Sequence, residues 1–289
     1  MLGDVSGHGH EALTHAALTR YTLRAYLQAG LEPRTALSLA GRVLTDRTGD
    51  RYATVAVAVY EAASGSLTYA LAGHPPPMLL GVSGVEPVTA CSSPPVGWGI
   101  PTGRRQTTIS LPAGAEACFF SDGLIEARRD GQLLGQEHVR EILAGLGPRP
   151  VAEELLEQVR TAAQEVPDDM VACVLSPQAP GRETQVHTEE LEVDAAMLAR
   201  AGVRRFLKEC AVSQPDIERA LDLAADITAS AGSALLRVEM GEQGATVTVT
   251  ALSSRAAQVA SPRQAANSDP LLRAPELVSA RAIQARALA

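Results

Sequence analysis

The chain has 289 residues, 46% of them hydrophobic and 20% charged. That balance suits a globular protein with room for one or two aliphatic-rich cores. The formal net charge of −8 and a pI near 5.3 argue against nucleic acid as a partner. No run is long and apolar enough to span a bilayer, and Met1-Leu2-Gly3-Asp4 does not open a basic and then apolar leader. A cytoplasmic protein with no membrane partner is expected. The four cysteines, Cys91, Cys118, Cys173 and Cys210, are far apart and form no C-x-x-C pair, which argues against a zinc site or disulfide framework. Cys118 and Cys173 fall in apolar strand-like runs and are expected to be buried.

In chain order, Gly3 to Gly9 reads as a glycine-rich turn. A helix is predicted over His10 to Gln28, ended by Gly30, and a second over Arg34 to Leu44. Strands follow at Tyr52–Tyr60, Ser66–Ala72, Pro77–Leu80, Gln106–Leu111 and Ala115–Ser121, separated by Gly- and Pro-rich turns. Helices over Glu137–Leu146 and Val151–Glu165 precede a strand at Met170–Leu175. Ser176 to Glu183 is a Pro/Gly/Ser linker and the clearest boundary. Beyond it come a strand at Thr188–Val193, helices over Asp194–Cys210 and Pro215–Ala231, and strands at Ala234–Met240 and Ala245–Ala251. Ser253 to Pro270 reads as loop or disorder, with a short helix predicted near Ala274 to Leu288. The class is α+β.

Three carboxylate-bearing segments lie at turns or strand ends. Asp4 precedes the run Val5-Ser6-Gly7-His8-Gly9-His10, in which glycines let bare carbonyls and a carboxylate approach a hard cation. Asp122 stands in Ser-Asp-Gly at the tip of an apolar strand, and Asp168-Asp169 sits just ahead of another. Taken singly, each also reads as an ordinary turn or solvated loop. His8, His10 and His15 could suggest a histidine metal site, but a Gly-flanked turn beside an aspartate suits a hard cation better than zinc. His74 in Gly-His-Pro-Pro-Pro reads as a turn residue supporting the fold. Arg104 and Arg105 read as a solvated loop, with substrate phosphate as their alternative use.

Five strings occur together in a fixed order: Gly3-Asp4-Val5-Ser6-Gly7-His8-Gly9, Tyr52-Ala53-Thr54, Leu71-Ala72-Gly73-His74-Pro75-Pro76-Pro77, Phe120-Ser121-Asp122-Gly123-Leu124-Ile125-Glu126-Ala127 and Asp168-Asp169-Met170. In this the sequence resembles the PPM (type-2C) metal-dependent protein phosphatases, in the branch typified by the stage II sporulation protein E phosphatase. The resemblance spans residues 1–176 and implies an αββα sandwich. It further implies two Mn²⁺ or Mg²⁺ ions, with Asp4 bridging them, the Val5 carbonyl helping to hold one, and Asp122 and Asp168 completing the other shell. Physics alone does not separate Asp168 from Asp169; the family pattern favours Asp168. Asp4, Asp122 and Asp168 are thus the residues on which catalysis would depend. Such ions neutralise phosphate oxygens and acidify water, chemistry that phosphomonoester hydrolysis requires.

The family's upstream Gly-Gly-Asp motif, whose Asp is a further ligand, has no counterpart here because the sequence starts at Met1, next to the second motif. The sandwich is therefore expected to be N-terminally truncated, either from a start lying upstream or in a catalytically silent relative. The implied activity is a protein serine/threonine phosphatase acting on a phosphorylated regulator such as an anti-sigma-factor antagonist. The alternative is a pseudophosphatase that binds a signalling partner. After a linker at 177–186, residues 187–251 faintly resemble the histidine-kinase-like ATPase fold of anti-sigma kinases, a small α/β sandwich. Asp226-Ile227-Thr228-Ala229-Ser230-Ala231 lacks that family's Asn, and Thr250-Ala251-Leu252-Ser253-Ser254 lacks its Asp-Gly motif. A degenerate interaction domain is expected there, with a flexible tail at 252–289.

Overall fold

The computed structural model describes residues 1–45, 51–82, 88–147, 151–177, 187–241 and 244–252. The chain divides into two compact units, one ending at His187 and one starting at Thr188.

The first unit contains, in chain order, β1 (Leu2–Val5), α1 (His10–Gln28), α2 (Pro33–Thr45), β2 (Ala53–Glu61), β3 (Ser66–Ala72), β4 (Met78–Leu80), β5 (Arg105–Ser110), β6 (Glu116–Phe120), the single turn α3 (Gly123–Glu126), the short pair β7 (Arg128–Arg129) and β8 (Gln132–Leu133), α4 (Gly135–Gly145), α5 (Ala152–Ala162) and β9 (Ala172–Leu175). One antiparallel sheet runs β1-β2-β3-β5 and another β4-β6-β9.

Alternation along the strands builds the layers. On β2, Val55 and Val57 face a core shared with Leu23 of α1 and Leu37, Ala40 and Leu44 of α2. The intervening Ala56 faces the other way, into a core with Leu67, Tyr69, Ile109, Ala117 and Phe119. On β6, Ala117 and Phe119 enter this central core, while Cys118 and Phe120 enter a third one with Leu124, Val139, Leu143, Leu155 and Val159 from α3, α4 and α5. Period-two side-chain alternation on both sheets thus produces helix, sheet, sheet, helix, the expected αββα sandwich. Phe120 is fully buried, so Phe120→Ala should cost roughly 3–5 kcal/mol by cavity formation. A shift in the urea midpoint at unchanged slope would show it.

Helix ends follow local chemistry. After α1, Gly30 at φ 82° lets Leu31 N–H donate to the Tyr26 carbonyl and Gly30 N–H to the Leu27 carbonyl, a Schellman stop. Pro33 opens α2, and the Gln106 side chain of β5 accepts from Arg34 N–H at 3.0 Å, satisfying one first-turn donor.

Two polar residues of α1, His15 and Thr19, are buried. His15 is 4% exposed, and neither ring nitrogen has a hydrogen-bond partner among the described residues. Burial, and then the nearby Arg51 charge, lower its pKa from the ordinary 6.5. The unfolded chain therefore binds a proton on His15 at a higher pH than the folded chain. The resulting stability is complete above about 6.5 and is lost as pH falls toward the lowered folded value. His15→Leu should flatten the fall of the thermal midpoint over that window, though not abolish it, because His74 is shifted in the same direction.

From the boundary at His187 onward come β10 (His187–Val193), α6 (Ala195–Leu198), α7 (Ala201–Glu209), α8 (Gln214–Ala231), β11 (Ala234–Gly241) and β12 (Gly244–Ala251). β10, β11 and β12 lie side by side, β11 and β12 antiparallel, and α8 packs on that pair.

Several expectations need correction. Leu2–Val5 is a strand, not part of a turn, because its backbone pairs with β2, Asp4 opposite Thr54. The helix predicted over Asp194–Cys210 is two helices. The Asp194 carboxylate caps Met197 N–H, and Arg200 is extended at φ −103°, ψ 152°, so α7 starts anew. Cys118 is buried as expected, whereas Cys173 is exposed because β9 is an outer strand of its sheet. The loop and helix expected beyond Ser253, and linker residues 178–186, lie outside the described residues.

Candidate metal centre

Three separated segments carry the candidate carboxylates. Asp4 lies near the end of β1, Asp122 follows β6 and precedes α3, and Asp168-Asp169 lies in the loop leading to β9. All four are exposed as residues.

The Asp122 and Asp168-Asp169 segments are locked together. Ser121 N–H donates to the Val171 carbonyl at 2.9 Å. The Ser121 hydroxyl donates to the Asp169 carbonyl and accepts from Val171 N–H, both at 2.9 Å. Gly123 must be glycine: a Cβ there would stand 2.5 Å from the Asp169 carbonyl oxygen and 3.1 Å from that of Asp168. This close backbone approach keeps Asp122 beside the pair.

Local hydrogen bonds aim two of the carboxylates. Val5 N–H donates to Asp4 Oδ1 at 2.8 Å, and Asp169 N–H donates to Asp168 Oδ1 at 2.7 Å. Each keeps its second oxygen for another partner. Asp122 spends no oxygen on capping α3.

Electrostatics ties Asp4 to the others. Although Asp4 is exposed as a residue, its carboxylate is partly removed from water, and that is the largest cause of its raised pKa. The Val5 hydrogen bond opposes the rise; the charges of Asp168, Asp122 and Asp169 add to it. A cluster of like charges in mutual reach is costly by itself and is relieved by a cation.

His74 belongs to the same neighbourhood. It stands in the segment connecting β3 of one sheet to β4 of the other and is 8% exposed. Burial lowers its pKa, while the Pro75 carbonyl and the charges of Asp122 and Asp4 pull the other way. Its Nδ1 lies 3.2 Å from the Pro75 carbonyl. A carbonyl only accepts, so Nδ1 carries the proton and Nε2 of the neutral ring is an acceptor. Composition of the Gly-His-Pro turn does not disclose this proximity; it arises from the crossover between sheets.

Other candidates lie elsewhere. Arg105 donates to the Ala90 carbonyl at 3.0 Å, and Arg104 N–H to Ser93 Oγ at 3.3 Å, so these loops are engaged with their own surroundings. Among the described residues, no group of three or more His, Cys, Asp or Glu side chains is close enough together to hold a metal ion as it stands. The groups that the family resemblance offers as donors are nevertheless all oxygen: four carboxylates and the Val5 carbonyl. Their shared negative field fits hard divalent cations such as Mn²⁺ or Mg²⁺ and not a soft-metal site.

The four-layer αββα unit has the fold of PP2C phosphatase domains. Residues 1–178 match the family described as Stage II sporulation protein E (SpoIIE). The chain belongs to that family. Among solved structures it is similar to the RsbU and RsbW domains of Rv1364c from Mycobacterium tuberculosis, with 25% identity, 86% of this chain and 75% of that chain covered, and a TM-score of 0.50. It is also similar in fold to the PP2C phosphatase domain, with a fragment of the regulatory domain, of the cell fate determinant SpoIIE from Bacillus subtilis. That likeness has 23% identity, covers 60% of this chain and 52% of that chain, and has a TM-score of 0.51. No helix among the described residues is long and apolar enough to cross a membrane.

Proposed function

We propose that the first unit is a metal-dependent phosphatase acting on phosphoserine or phosphothreonine in a partner protein. The observation that carries this is the family match over residues 1–178 together with the Ser121 hydrogen bonds and the Gly123 contact that hold Asp122 against the Asp168-Asp169 loop.

Asp4, the Val5 carbonyl, Asp122 and Asp168 would hold Mn²⁺ or Mg²⁺, with Asp169 beside them. When bound, such ions neutralise phosphate oxygens and lower the pKa of water. The protein's own part is positional. The Ser121 bridge and the Gly123 contact fix Asp122 against the Asp168-Asp169 loop. The Val5 and Asp169 amides aim the Asp4 and Asp168 carboxylates. Exposure of the carboxylate rim admits a phosphorylated side chain carried on a protein surface. His74 Nε2, neutral at physiological pH, offers an acceptor for a proton leaving water.

The substrate we favour is a phosphorylated regulator of the anti-sigma-factor-antagonist kind. Support comes from the likeness, over 86% of this chain, to a protein whose solved structure comprises RsbU and RsbW domains. The unit from Thr188 is proposed as a degenerate histidine-kinase-like interaction domain. Asp226 occupies α8 where that fold needs Asn, so nucleotide binding is not expected. A catalytically silent binding protein is the second reading, favoured because no group of three or more His, Cys, Asp or Glu among the described residues is placed to hold a metal ion.

Chelation separates the two. Hydrolysis of a generic phosphomonoester should vanish with EDTA and return with Mn²⁺. Binding of a phosphoprotein with no metal-restored hydrolysis would favour the silent reading.

A further inference from the structure

We propose that Arg51 is a positioning residue for the Asp4 turn, acting as a two-armed brace that sets metal affinity. The inference rests on the metal-centre reading above.

Arg51 directly precedes Tyr52, and both grip the turn that follows Asp4. Arg51 Nη1 donates to the Ser6 carbonyl at 3.1 Å, and Nη2 donates to Glu11 Oε2 on α1 at 2.8 Å. Tyr52 N–H donates to Ser6 Oγ at 3.0 Å, and Ser6 N–H donates to the Tyr52 carbonyl at 2.9 Å. Ser6 is thus held at three atoms by two consecutive residues. The Tyr52 ring in turn stacks on Trp98, centroids 5.2 Å apart and planes at 15°.

The guanidinium occupies the bare face of Gly7. That residue has φ 89°, and a Cβ on it would collide with Arg51 Nη1. Glycine at position 7 therefore serves two needs, a left-handed backbone and room for the arginine. Without the brace, the segment from Ser6 to the start of α1 at His10 loses its tie from the Ser6 carbonyl to α1 through Glu11.

The Glu11 carboxylate side chain is 79% exposed, so this ion pair by itself adds little net stability. The value of Arg51 lies in geometry: a planar fork joins a turn carbonyl to a helix carboxylate, which a single ammonium cannot reproduce. The Val5 carbonyl and the Asp4 carboxylate lie immediately before Ser6, so a loosened turn displaces both donors at once. The signature is weakened metal binding at nearly unchanged global stability.

The test compares wild type, Arg51→Ala and Arg51→Lys by Mn²⁺ titration calorimetry, by hydrogen exchange of the metal-free chain, and by thermal melting. Arg51→Ala should bind Mn²⁺ roughly 10-fold more weakly, the low end of the range for losing a group that orients metal ligands, because Arg51 holds Ser6 and not Asp4 or Val5 themselves. Amides of residues 6–9 should exchange faster in the metal-free chain, with the melting midpoint nearly unmoved. Arg51→Lys should fall between and stands in if the alanine variant does not fold. Wild-type Mn²⁺ affinity and unchanged exchange in both variants would overturn the brace while leaving the metal centre standing. A wild type that binds no Mn²⁺ would overturn the metal centre and the brace together.

Discussion

Asp122→Ala is expected to lower phosphomonoester turnover by roughly 10²–10³-fold, the scale of removing one preorganised electrostatic group from a reacting centre. The same substitution should leave the fold intact. Asp122 is exposed, and its carboxylate makes no cap on α3. It is one of three carboxylates whose charge raises the Asp4 pKa. Its removal relieves repulsion in the metal-free chain, so the melting midpoint without Mn²⁺ should hold or rise slightly, a stability gain at the expense of function. Equal turnover in mutant and wild type would remove Asp122 from the site. A lower midpoint without metal would show that its role is structural.

Gly123→Ala should damage the same centre by a different route. The new Cβ would stand 2.5 Å from the Asp169 carbonyl oxygen, and backbone cannot yield as a flexible side chain can. The 168–169 loop must move, taking two carboxylates and straining the Ser121 hydrogen bonds to Asp169 and Val171. Activity should fall about as far as in Asp122→Ala. Here, however, stability should also drop, by about 1–3 kcal/mol, as for an overpacked site. The contrast is diagnostic: Asp122→Ala loses activity alone, and Gly123→Ala loses both. A fully active and stable Gly123→Ala would mean that the two segments are not held this closely.

Much of this architecture is legible in the sequence wherever punctuation and periodicity agree. The first helix is readable at both ends because Gly9 and Gly30 bracket it, both at positive φ. The strand Ser66–Ala72 is readable because its apolar positions alternate between two cores. The resemblance implies the αββα layering, and alternation on β2 and β6 provides its physical basis.

What escapes the sequence depends on contacts between distant segments. Leu2–Val5 has a Gly-Asp centre and no strand pattern of its own; pairing with β2 makes it a strand. The break at Arg200 hides among good helix formers and shows only in the backbone angles there. Asp4, Asp122 and Asp168-Asp169 can be picked out as residue types, but their mutual field cannot. The nearness of His74 to Asp122 and Asp4, and the grip of Arg51 on Ser6, are likewise invisible along the chain. Exposure of Cys173 follows from the outer position of β9, a matter of strand order and not of composition.

The most direct measurement is phosphate release from a phosphoserine peptide by the purified chain, titrated with Mn²⁺, with Asp4→Asn as the matched control. Saturable, Mn²⁺-dependent release by the wild type is expected, with a loss of at least two orders of magnitude in Asp4→Asn, on the scale of a lost electrostatic stabiliser. Release that ignores Mn²⁺, or that survives in Asp4→Asn, would contradict a metal centre at these carboxylates. No release by the wild type at saturating Mn²⁺ would contradict the phosphatase assignment itself.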